Sequence, residues 1–124
     1  MTVTAYTLAV VLDLFVLFIG ARFLLQPHPS AAGYGVPAQP DPNGDPAFLT
    51  IKGLRDGVFG IMGLALLAFA GAHAEGWFML AVALVPLGDT AIVLRHGGTK
   101  AVAYGIHFAT AVVVLLSAGL LFAV

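Results

Sequence analysis

The chain has 124 residues, of which 60% are hydrophobic and 9% charged, with a formal net charge of −1. Soluble domains carry roughly 25% charged residues, so this composition, with a mean hydropathy of +1.03, excludes a water-soluble globular domain. The lack of cysteine excludes disulfides, thiolate catalysis and iron–sulfur or cysteine-ligated zinc sites, and the lack of a basic run removes nucleic acid as an expected partner.

The pattern predicts an all-α membrane protein: one four-helix bundle with spans at about 5–25, 47–70, 76–94 and 101–124 and a long Pro-rich loop at 26–46. Each span approaches the ~20 helical residues needed to cross a ~30 Å hydrocarbon core. Strand alternation is absent, which argues against a barrel. The opening MTVTAYTLAV carries no basic stretch, and the apolar run after it is too long for a signal peptide, so 5–25 reads as a span. Tyr6, Ala9, Asp13, Leu17 and Gly20 share one stripe of that helix, with Asp13 near the membrane midplane. Arg22, at its end, is placed to snorkel to the interface.

The segment QPHPSAAGYGVPAQPDPNGDP holds six of the seven prolines, which predicts extended or turn backbone throughout. It is longer than the ~12–15 residues at which structureless connections become functional or disordered. Its apolar centre, with Tyr34 between glycines, suits a lid on the bundle mouth.

The second span opens with GLRDGVFGIMG, putting Arg55 beside Asp56 where the chain enters lipid. A charge at the bilayer centre costs at least ~2.5–3.5 kcal/mol, so such groups are paired, buried or functional. Arg55 and Asp56 point about 100° apart on a helix. Arg55 is therefore expected to meet Asp89 or a carbonyl, leaving Asp56 to orient His107 or bond Lys52. Gly53 and Gly57 form a small-xxx-small contact for close helix approach.

On the third span Val82, Val85, Pro86 and Asp89 share a stripe, and Pro86 removes a backbone donor. On the fourth, Lys100, Tyr104, His107, Thr110, Ala111, Val114 and Ser117 follow helical spacing. At about 1.5 Å per residue, Arg55, Asp56, Asp89 and His107 all lie roughly 9–12 Å from the same membrane face. Three helices thus deliver ionisable groups to one depth.

The basic residues Arg22, Lys52, Arg55, Arg95 and Lys100 cluster at the loops 26–46 and 95–100, which makes that face cytoplasmic and both termini external. Trp77 falls at the opposite interface. The bacterial inner (plasma) membrane is the expected location.

GARFLLQP, GLRDGVFGIMGL, LVPLGDTAIVLRHGG and the lone His107 resemble, in order and spacing, the small four-span membrane proteins catalogued as domain of unknown function 4267. More loosely, size and architecture resemble the DoxX-like group. The resemblance implies fold and membrane location, attaches no activity, and draws attention to Arg22, Arg55, Asp56, Asp89, His96 and His107.

Three functions remain open at this level. One is an acid–base catalyst of the isomerase, cyclase or epoxide hydrolase type, acting on a lipophilic small molecule. Its catalytic residues would be Asp56, Asp89, His107 and Arg55, with Tyr104, Asp13, Tyr34 and Arg22 binding the substrate. The second is a small proton-coupled transporter or lipophile-binding protein, and the third is a structural scaffold. Neither cofactor nor metal is expected: His28, His73, His96 and His107 are scattered, with no HxxxH or ExxH pair, and His96 reads as a helix-end cap. The expected partners are the bilayer, a lipophilic ligand and a second copy in a homodimer. Thr2→Cys and Val124→Cys variants should both react with an impermeant thiol reagent from outside the cell; protection at both positions would overturn the topology.

Overall fold

The computed structural model describes residues 1–36, 41 and 43–124, and every regular element among them is helical. The part of the Pro-rich segment at 37–40 and 42 lies outside the described residues. Five helices follow in chain order: α1 (Thr2–Leu25), α2 (Pro27–Tyr34), α3 (Ala47–Phe69), α4 (Ala72–Arg95) and α5 (Lys100–Phe122). Three of them, α1, α4 and α5, are long and apolar enough to cross a membrane. Helix α3 has 23 residues and carries Lys52, Arg55 and Asp56 near its start. Large apolar side chains cover the outside, with Phe18 56%, Leu54 59%, Ile61 57% and Leu116 60% exposed. Such a surface is stable in hydrocarbon and a liability in water.

Helix α1 packs on α3 and α5, and α4 also packs on α3 and α5, so α1 and α4 face each other across the bundle. The α1–α3 seam is built from glycine. A Cβ at Gly60 would stand 2.6 Å from the Asp13 carbonyl oxygen, and one at Gly53 would stand 2.8 Å from that of Gly20. The two backbones therefore touch, which is how helices gain dispersion energy where lipid offers no hydrophobic drive to associate. The opposite end is filled by small residues too: Ala5, Ala9, Ala72, Ala83 and Ala118 surround Met79, Val114 and Leu121.

Two boundaries differ from the sequence reading. Residues 27–34, expected as loop, form α2. Pro27 and Pro29 fall in its first turn, where backbone N–H groups have no helical acceptor, so the prolines cost nothing and their φ favours the helix. Ser30 Oγ donates back to the Gln26 carbonyl at 2.6 Å, and Gly35, at φ 98°, ends the helix in the left-handed region. The third span begins at Ala72 and not at 76, because Gly71 turns the chain at φ 92° and helix resumes at once. Glu75 is thereby carried into the bundle interior.

Helix α4 is interrupted at Ala83, between Ala72–Val82 and Leu84–Arg95. Pro86 lacks the N–H that would bond Val82, and its ring crowds that carbonyl. The first half packs on α3 and the second half leans on α5, opening a wedge between α3 and α4. Gly60→Leu should lower the melting temperature in detergent by the equivalent of ~1–3 kcal/mol of overpacking. Gly119→Ala, where an added methyl meets nothing within 4 Å, should leave it unchanged.

Candidate functional site

The wedge holds a cavity of about 360 Å³ lined by α1, α2, α3, α4 and α5. This lies within the ~300–1,000 Å³ of small-molecule sites. Most of its wall is carbon: Leu12, Phe15, Val16 and Ile19 of α1, Phe78, Met79 and Val82 of α4, and Ile106 and Val114 of α5. Phe15, Val85 and Ile106 line it while remaining 50%, 46% and 49% exposed, so the cavity meets the lipid-facing surface.

Polar groups collect at the end covered by α2. Tyr34, the last residue of α2, donates its phenolic O–H to Asp89 Oδ2. His107 is 5% exposed, and its Nε2 stands 2.8 Å from the Tyr34 backbone carbonyl. A carbonyl only accepts, so Nε2 carries the proton and a neutral imidazole keeps its lone pair on Nδ1. That nitrogen stands 4.0 Å from Asp89 Oδ2. The Tyr34 and His107 rings are stacked at an angle, 4.5 Å between centroids.

Lys52 pairs with Asp56 one turn along α3, and its ammonium sits 4.5 Å from the Phe23 ring centroid and 4.7 Å from that of Tyr34. Both rings face it with π-density, which holds a cation away from bulk water. Burial, and next the charge of Asp89, push the Tyr34 phenol above the ordinary phenol range, so it remains a donor.

The placement of His107 depends on a π-helical turn over Ala103–Phe108 inside α5. A π turn adds a residue and rotates everything beyond it relative to everything before it. His107 is buried, whereas Tyr104 is 51% exposed and turned away from the cavity. Tyr104 is accordingly not a substrate-binding residue, because the spacing that put it on the His107 stripe assumed an unbroken α-helix. Arg55 is exposed and is absent from the cavity wall, so its expected contact with Asp89 is not made. Asp89 takes the Tyr34 hydroxyl instead, and α3 turns Lys52 and Asp56 inward in preference to Arg55.

The other candidates fall as follows. Asp56 and Asp89 line the cavity, as do Arg22 at the exposed end of α1 and Asp13 at the far end. His96 ends α4, with Nδ1 2.8 Å from the Ile92 carbonyl oxygen. Among the described residues no group of three His, Asp or Glu side chains is arranged to hold a metal ion. Sequence reasoning missed Lys52 as a member of the site and Glu75 altogether. The signal for Glu75 was an acid in the first turn after Gly71, the pattern of a helix start.

A family model, domain of unknown function (DUF4267), matches residues 14–121, and the chain belongs to that family. No curated protein and no solved structure matches it. On alkaline titration, phenolate absorbance should show one component rising above the ordinary phenol value of ~10. Tyr34→Phe should abolish that component; its persistence would place the buried phenol elsewhere.

Proposed function

Starting from membership in a family of unknown function, we propose that this protein is a membrane-embedded acid–base catalyst acting on a lipophilic small molecule. All four long helices cross the bilayer in this reading, with both termini outside and the 26–46 and 95–100 loops in the cytoplasm. Helix α3 crosses because its charges lie within the first turns, where Lys52 is paired to Asp56 and Arg55 reaches the interface.

The observation that carries the proposal is the meeting of His107 Nδ1 and Asp89 Oδ2, 4.0 Å apart, at the polar end of an otherwise carbon-lined cavity. A ligand entering from the lipid buries its hydrocarbon along Phe15, Val16, Phe78 and Val82 and presents its polar end to α2. His107 Nδ1 then removes a proton from the ligand. Asp89 steadies the imidazolium so formed, as a carboxylate beside a histidine does. Lys52 and Arg22 face the negative charge that develops on the ligand, in surroundings where water screens little. Return of the same proton to another atom of the ligand completes an isomerisation with no net change in protons. Cyclisation and epoxide opening use the same base and the same cations.

Tyr34 has two tasks in this scheme. Its carbonyl fixes the tautomer of His107, and its hydroxyl holds Asp89 in place. Helix α2 is then the roof of the site.

Mass spectrometry of extracts from the protein purified in mild detergent should detect a defined lipophile in the parent chain and little in Asp89→Asn and His107→Ala. No bound lipophile, with both variants melting like the parent, would overturn the proposal. Loss of folding in both variants would instead favour a scaffold.

A further inference from the structure

A second pair of ionisable groups lies at the end of the cavity remote from α2. Asp13 of α1 is 2% exposed and Glu75 of α4 is 0% exposed. Their carboxyl groups meet each other across the bundle. Asp13 Oδ2 and both carboxylate oxygens of Glu75 have no hydrogen-bond donor among the described residues. The basic groups that do form ion pairs, Lys52 and His107, are engaged with Asp56 and Asp89 at the opposite end. Asp13 also forms part of the cavity wall, so the pair is presented to whatever fills the cavity.

The fold makes room for this carboxyl deliberately. It lies over Gly63 of α3, where a Cβ would overlap the Asp13 side-chain oxygens. Burying a polar group without a partner costs roughly 1–3 kcal/mol on protein scales, and each such group calls for a reason. Two carboxyls side by side away from water hold at most one negative charge between them, so at least one presents an O–H.

The geometry points to a second polar subsite at Asp13 and Glu75, which binds a neutral hydroxyl or carbonyl at the far end of a lipophilic ligand whose other polar end lies against Tyr34, Asp89 and His107. This inference rests on the cavity being a ligand site and adds the class of ligand: a lipophile oxygenated at both ends. The distance between the ends follows from α1. Nine residues separate Asp13 from Arg22, or about 13–14 Å along the helix. The carbon walls of the cavity supply the intervening hydrocarbon contact.

Calorimetry on the full chain in mild detergent tests this, with a straight-chain diol of that span, the matched mono-alcohol and the matched amino alcohol as probes. The diol should bind up to about tenfold more tightly than the mono-alcohol, the value of one well-made hydrogen bond. Asp13→Ala should remove that advantage while leaving mono-alcohol binding in place, and Asp13→Asn, which keeps hydrogen-bonding capacity, should retain most of it. Equal binding of diol and mono-alcohol would overturn the second subsite and leave the cavity reading standing. If neither alcohol binds, both fall. An amino alcohol that outcompetes the diol and releases a proton would overturn the neutral ligand in favour of a cation. Should the Asp13 variants fail to fold, the three probes on the parent chain still decide the matter.

Discussion

The backbone contact between α1 and α3 is the constraint from which the rest follows. Lipid tails are as apolar as leucine, so burying leucine between helices in a bilayer gains little, and close packing has to supply the stability. Gly20, Gly53 and Gly60 let the two backbones meet without intervening side chains. That contact fixes the rotation of α3, which turns Lys52 and Asp56 into the bundle and leaves Arg55 outside. It also seats Asp13 over Gly63. With α1 and α3 drawn together and α4 broken at Ala83, the remaining space falls in the cytoplasmic half as a wedge.

Every polar side chain at the covered end of that wedge has a partner. Tyr34 serves Asp89 with its hydroxyl and His107 with its carbonyl, while Lys52 serves Asp56 and two aromatic rings. Removing one member leaves another buried and unpaired, so the group is held together more strongly than its separate bonds imply. Helix α2 is the element on which this depends. Its eight residues are too few to be stable alone, and it stays helical because Tyr34 is tied to α4 and α5. The remote end is organised on the opposite principle, with two carboxyls and no base. A cavity balanced at one end and acidic at the other is suited to a ligand with two distinguishable ends.

Much of this was legible in the residues themselves. Apolar runs of span length, the basic residues gathered at two loops and the shared depth of Asp56, Asp89 and His107 are all linear features, and a helix converts linear spacing into depth at a fixed rise. The stripe Val82, Val85, Pro86 and Asp89 lines the cavity because α4 is regular beyond its break. Prolines in the 26–46 segment misled, since their density signals turns while their position, in a first helical turn, permits helix.

The sequence by itself thus determined helical class, membrane character and the depth of the ionisable groups, because hydropathy and axial rise are properties of single segments. Only the tertiary structure decided which of those groups face one another. Arg55 and Asp56 are adjacent in sequence, and the glycine seam sends one outward and the other inward. Tyr104 and His107 share a stripe on an ideal helix, and the π turn at Ala103–Phe108 separates them. Asp13 and Glu75 are far apart in the chain and meet because α1 and α4 lie opposite across the bundle. Depth is set by counting along one helix; facing is set by how the helices are rotated against each other, and that rotation belongs to the packed bundle.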